Sequence, residues 1–247
     1  MAIETFVDQV SAVHDRVSRN GVRASEVPLI SGLAQVFPGT FSMCLDASGT
    51  VRGLSPSYTT ATGVNGHSMV GRRLNEFFRP AWCDERLGVV RRAMRTGTPI
   101  ATVEIFRSRR LEGAYLPAID DASSSLAVFV GRFGLSCPLA DDKSFQQYEH
   151  LLEPEWGELS KLSRRELEVL RLIASGLDNG QIAKAIHRTK RAVEWHISGL
   201  YRTLNVLQRT DLFRIGLVAG LPEIDEDHWN RMMERVNSHH AEAPMTY

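Results

Sequence analysis

Apolar residues recur at three- and four-residue steps through three successive blocks between residues 163 and 204. The first block carries Leu167, Leu170, Ile173 and Ala174; the second has Ile182, Ala183 and Ile186; the third has Val193, Ile197, Leu200 and Leu204. Each set lines one face of a helix, so three amphipathic helices are predicted, with their stripes turned inward. Their boundaries are also written in the residues. Ser163 with Glu166 three positions on forms a capping box, Gly176 ends the first helix, and Asp178 or Asn179 caps the second. The three-residue break His187-Arg188-Thr189 precedes the third helix, which Thr189 is placed to cap. A short fourth helix closes the block at Leu221.

The outward side of the third helix carries the chemistry. On the same wheel Lys190, Arg191, Glu194, Trp195, Ser198 and Arg202 point away from the core. A helix with an aliphatic back and a cationic, hydrogen-bonding front suits insertion into a DNA major groove. Formal net charge is zero over 247 residues, but the average hides an asymmetry. Residues 158–221 hold eleven Lys or Arg against six Asp or Glu, whereas residues 222–247 hold two against six. Positive charge is gathered where phosphate contact would need it. Thr189, Lys190, Arg191, Glu194, Trp195, Ser198 and Arg202 are the candidate DNA-binding residues. Arg164, Arg165 and Arg171 read as a solvated face, and His196, beside the apolar stripe, as a packed, hydrogen-bonded histidine.

The block closely resembles the LuxR-type helix-turn-helix. The motifs are Leu-Ser-x-Arg-Glu-x-Glu-Val-Leu at 162–170, Asn179-x-x-Ile-Ala, and Val193-x-x-His196 leading to Leu204 and Val206. The resemblance implies a four-helix unit whose third helix reads bases and whose fourth supports dimerisation. Two positions depart from the commonest pattern. His187-Arg188-Thr189 stands where Gly-Ile-Ser is usual, and Glu194 stands where Lys is frequent.

The front of the chain has a different rhythm. Ile3, Phe6, Val7, Val10, Val13 and Val17 mark an amphipathic helix ending near Asn20-Gly21. Residues 41–46 and 50–55 alternate like strands around the turn Ala47-Ser48-Gly49, a plausible hairpin. A helix is predicted over 82–97, with Leu87, Val90, Ala93 and Met94 on one side and Gly97 as its stop. Strands are expected at 100–107, 113–120 and 125–133, then a helical connector at 145–152 that Pro154 interrupts, and one more helix at 225–237.

Residues 41–133 resemble a PAS domain, a five-stranded antiparallel sheet with helices on one side. Gly63, Gly71, Arg72 and Leu74 keep that family's spacing, while Ser55 replaces its usual Asn. The fold class is therefore α+β: a PAS-like antiparallel sheet of five strands, followed by an all-α four-helix unit. Members of the family often enclose a ligand, but the flavin-binding Asn-Cys-Arg-Phe-Leu-Gln element is absent and no histidine lies on the 82–97 helix. Cys44 reads as core, Cys83 lacks a flavin context, and His67 sits in an exposed turn. No cofactor and no metal are expected.

Three rival functions fit the residues less well. A phosphorylated receiver would need an acid pair after its first strand and a late Lys. Asp46 follows an apolar strand, but no acid pair precedes it and no Lys occurs before Lys143. A quorum-sensing receptor for a small molecule agrees in size and domain order, without its Trp and Tyr constellation. An enzyme lacks any GxSxG, HExxH, phosphate loop or zinc spacing, and Asp120-Asp121 and Asp141-Asp142 are adjacent loop acids. The three cysteines form no CxxC, the N-terminus is unlike a secretory signal, and no apolar run reaches membrane-spanning length.

The expected protein is a cytoplasmic, non-enzymatic, homodimeric regulator of transcription that binds double-stranded DNA. Its expected organisation is an N-terminal helix and irregular segment (1–34), a PAS-like sensory or dimerising domain (35–134), a connector (135–157), the DNA-binding unit (158–222) and an acidic tail (223–247). A small-molecule ligand in the front domain is the alternative reading. Candidate dimer surfaces are the N-terminal stripe, the sheet, and Leu212, Ile215, Leu217 and Val218.

Overall fold

Alternating apolar residues give a hairpin of β1 (Thr40–Asp46) and β2 (Val51–Leu54), closed by the Asp46 side chain. The Asp46 carboxylate accepts from the Ser48 and Thr50 amides at 2.9 and 3.0 Å, and from Arg52 Nε at 2.9 Å. The structure is a computed structural model and is described for residues 39–119, 125–134 and 149–239. The expected N-terminal helix lies outside the described residues, as do Cys137 and both acid pairs.

The chain divides into two units, Met1–Val103 with Leu111–Leu151, and Glu104–Arg110 with Leu152–Tyr247. In the first, α1 (Ser57–Thr62) and α2 (Pro80–Thr96) separate the opening hairpin from β3 (Ile100–Phe106), β4 (Arg109–Ile119) and β5 (Ser125–Phe133). The sheet order is β2-β1-β5-β4-β3-β6, where β6 is Glu149–His150. Pairing of β1 with β2 and β5, and of β4 with β5, is antiparallel. The α+β class holds, with two corrections. The sheet has six strands, and β6 runs parallel to β3, with Glu149 and His150 opposite Thr102 and Val103. Those two residues were expected in a helix. Their edge pairing supplies backbone partners that helical spacing could not reveal.

Aromatic rings fill the face of the sheet that meets α1. Phe41 meets Tyr58 edge-on at 5.6 Å, and Phe129 lies 4.8 Å from Tyr115. The Phe129 ring also lies over the cross-strand pair Gly113 and Gly131, where an added Cβ would come within 2.5 Å of it. Both glycines are there for close approach. Ser55 bridges the strand ends: its Oγ accepts from the Ser42 amide at 2.9 Å. On α2, Trp82, Cys83, Arg86, Leu87, Val89, Val90 and Ala93 are buried, and Gly97 closes the helix in the left-handed conformation. Burial pushes the Cys83 thiol up to about 11.

The second unit holds α3 (Arg164–Ala174), α4 (Asn179–Ala185), α5 (Lys190–Leu204), α6 (Arg209–Val218) and α7 (Glu226–His239). Leu167, Leu170, Ile173, Ile182, Val193, Ile197, Leu200 and Leu212 form one core. Trp229, Met232 and Met233 of α7 join it. Arg171 fastens α7: it reaches the Ile224 carbonyl at 2.7 Å and Glu226 at 2.9 Å, and lies 5.0 Å from the Trp229 ring centre. The expectation of a merely solvated Arg171 is corrected by these contacts. No helix among the described residues is long and apolar enough to cross a membrane.

Candidate nucleic-acid interface

The third helix of the block, α5, starts as the sequence suggests. Thr189 accepts from the Ala192 amide at 3.2 Å, and Asn205 ends the helix with φ 52°. Its aliphatic side is turned in: Val193, Ile197 and Leu200 are buried, and Leu204 is half-buried. Thr189, Lys190, Arg191, Glu194, Trp195, Ser198 and Arg202 are all exposed. The structure therefore leaves all seven candidate residues open to solvent, with Arg191, Trp195, Ser198 and Arg202 sharing one stripe of the helix.

The supports of this helix are specific. On α3 the Ser163 cap accepts from the Glu166 amide, and the Glu166 carboxylate accepts from the Ser163 amide at 2.9 Å. That carboxylate also lies against Gly199 of α5, where an added Cβ would overlap Oε1 and displace the carboxylate. Asp178, not Asn179, caps α4 by accepting from the Gly180 and Gln181 amides at 2.7 and 2.8 Å. Those backbone hydrogen bonds hold its carboxyl below the usual carboxylate range. Asn179 has a different task. Its side chain and the Leu177 carbonyl receive Arg209 at 2.8 and 2.7 Å, joining the starts of α4 and α6. Sequence reasoning did not single out Arg209, a basic residue at a helix start where its charge would otherwise be unfavourable.

Between α4 and α5 the chain turns through His187, whose φ is 52°. A left-handed residue is needed there, which accounts for the glycine usual at this place. His196 is half-buried with its ring 5.0 Å from Trp195, nearly perpendicular at 75°. Desolvation holds its imidazole below the usual range, with Glu166 pulling the other way. It is packed, as expected, but the expectation of a hydrogen-bonded histidine is corrected at Nδ1, which is buried with no hydrogen-bond partner among the described residues.

Electrostatically the outer side of α5 is open. Among the described residues Arg191 and Arg202 make no ion pair, so their charges are available to a phosphate. Ser198 donates to the Glu194 carbonyl at 2.9 Å, leaving its oxygen lone pairs as the free part. On α6 the buried residues are Leu212 and Gly216, which removes Leu212 from the expected dimer surface. Phe213 is 39% exposed and Leu207 is 91% exposed. Neither was named from sequence, although the turn after Leu212 on the wheel points Phe213 outward. Among the described residues no cluster of three or more His, Cys, Asp or Glu is placed to hold a metal.

Residues 160–215 match the family model for bacterial regulatory proteins of the luxR family. The HTH-type transcriptional regulator AlkS of Ectopseudomonas oleovorans is 45% identical over 49 residues, which are 20% of this chain and 6% of AlkS. The response regulator protein VraR of Staphylococcus aureus is 45% identical over 49 residues, 20% of this chain and 23% of VraR. The chain thus spans less than a quarter of the length of these relatives. Among solved structures, the Vibrio cholera VqmA-ligand-DNA complex is 20% identical, with TM-score 0.40 over 81% of this chain and 90% of the other. A domain of an HTR-like protein from Haloarcula marismortui is 21% identical, with TM-score 0.36 over 38% of this chain and 97% of the other.

Proposed function

We propose that this chain, which carries a LuxR-type helix-turn-helix over residues 160–215, regulates transcription by binding duplex DNA through α5. The observation that carries the reading is the sidedness of that helix. Lys190, Arg191 and Arg202 stand exposed around Trp195 and Ser198, while Val193, Ile197 and Leu200 anchor the opposite side in the core. In this reading Thr189, Lys190, Arg191, Glu194, Trp195, Ser198 and Arg202 form the DNA footprint. Residues 158–222 are the DNA-binding unit, and residues 35–134 sense a signal or mediate dimerisation. The protein acts in the cytoplasm as a homodimer and is not an enzyme. Leu207 and Phe213, large apolar side chains left in water, are candidates for the surface between copies.

Two features argue against a phosphorylated receiver. Asp46 is engaged by its own turn, and β1 pairs with β2 and β5, and β4 with β5, antiparallel rather than in an alternating parallel sheet.

The experiment is fluorescence anisotropy of the full chain on labelled duplex over a range of salt. Arg191→Ala is expected to weaken binding and to reduce the slope of log affinity against log salt by about 1. Unchanged affinity and slope would remove Arg191 from the footprint. No saturable binding to any selected duplex would overturn the reading.

A further inference from the structure

We infer that Trp195 is a specificity-determining residue that recognises the C5-methyl group of a thymine in the major groove, an assignment that rests on the DNA-binding reading above. The chain has four tryptophans. Trp82, Trp156 and Trp229 are 3–8% exposed, whereas Trp195 is 69% exposed on α5. Leaving an indole in water forgoes the burial that stabilises the other three. Folding returns to this ring only its edge-on contact with His196, so its outward placement is accounted for by a surface that arrives later.

Its neighbours say what kind of surface. Arg191, Trp195, Ser198 and Arg202 follow at steps of four, three and four and share one stripe. At 1.5 Å per residue the two arginines lie about 16 Å apart along the helix, with the indole between them. That is comparable with the ~12 Å width of the major groove, so both cations can reach phosphate while the ring lies over the base edges. A surface that meets guanidinium at both ends and an apolar ring in the middle is polyanionic outside and locally apolar inside. Among the four bases only thymine presents an apolar group in the major groove. The perpendicular contact with His196, whose ring is held beside the core, limits the directions the indole can take. Glu194, beside it, is a hydrogen-bond acceptor without a donor function and suits a neighbouring cytosine amino group rather than the methyl.

The test uses the full chain and a duplex selected from a randomised library. Each thymine of a half-site is replaced in turn by deoxyuridine, which deletes only the methyl group. Wild-type protein is expected to lose about three- to fivefold in affinity at one thymine per half-site, the effect of one buried methyl. For Trp195→Ala, folded by circular dichroism, thymine and uracil duplexes are expected to bind alike, and a fresh selection is expected to lose the preference at that position. Trp195→Phe keeps part of the discrimination. An equal loss on every duplex, with the uracil effect intact, would overturn the assignment in favour of a backbone contact. So would a change in the sedimentation of the free protein, which points to a contact between copies. If wild type selects a sequence yet uracil is neutral everywhere, only this assignment falls; if it selects none, the DNA-binding reading falls with it.

Discussion

Gly216 of α6 lies so close to Ala174 of α3 that a methyl group on the glycine would overlap the alanine's own. Two effects oppose each other on substitution. Replacing a mid-helix glycine by alanine gains up to about 1 kcal/mol of helix propensity. Forcing a methyl into a packed helix-helix contact costs about 1–3 kcal/mol. The packing cost wins. Gly216→Ala is expected to lose about 1–2 kcal/mol in urea denaturation followed by tryptophan fluorescence, and Gly216→Val more. A stability equal to or above wild type would contradict the close contact.

At His187 the balance runs the other way. Its φ of 52° puts an L-residue with a Cβ in the left-handed region, at a cost of about 1–2 kcal/mol. Glycine removes that cost but gives the unfolded chain more freedom, worth about 0.4–1 kcal/mol. His187→Gly is therefore expected to raise stability by about 0.5–1 kcal/mol. Because the side chain is exposed, DNA affinity should change little. Loss of stability in a melting experiment would show that His187 makes a contact that matters more than its backbone.

Arg171 provides a contrast with the arginines of α5. Its hydrogen bonds to Glu226 and the Ile224 carbonyl and its stacking on Trp229 are directed at α7. Hydrogen bonds to a charged group contribute about 1.5–3 kcal/mol, and part of this one faces water. Arg171→Ala is expected to lower stability by about 1–2 kcal/mol. The salt slope of DNA binding should stay as in wild type. A flatter slope would return Arg171 to the DNA footprint.

The Cys83 thiol is buried and donates to the Phe78 carbonyl at 3.6 Å. With its thiol pushed up to about 11, the reactive thiolate is scarce at neutral pH. Iodoacetamide at pH 8, read by peptide mapping, is expected to label Cys83 only after unfolding. The linkage has a definite sign. Between about 9 and about 11 the unfolded thiol loses its proton while the folded one keeps it, so this group's contribution to stability falls as pH rises through that window. Rapid labelling of folded protein would contradict both statements.

How much of this was legible in sequence depends on whether the controlling interaction was local. The starts of α3 and α5 were readable because Ser163 and Thr189 act within three residues of themselves. The inward stripe of α5 was readable because a helix wheel is a local rule. By contrast β4 begins at Arg109, four residues before its expected start, since Arg109, Arg110 and Glu112 break the apolar alternation. They are tolerated because Arg107 and Ser108 form the turn with φ of 51° and 62°, which fixes the hairpin register despite polar side chains. The β6 edge, the Arg209 clamp and the Phe129 ring over two glycines all join residues distant in sequence, and no single-chain period announces them. The candidate footprint sits between these cases. Its residues were named from the wheel, while the one outward indole acquired meaning only beside three that are inward.

The seating of Trp229, Met232 and Met233 in the helical core has a consequence for where this domain can be cut. The luxR-type match ends at residue 215, yet Trp229, Met232 and Met233 beyond it belong to the same core as Leu167, Leu170 and Ile173. A fragment stopped near residue 222 is expected to leave part of that core open to water and to aggregate more readily, whatever its recognition helix can do. An excised helical domain is therefore expected to be stable only if it runs past Met233, drawn by its last hydrophobic anchor rather than by the edge of its family likeness.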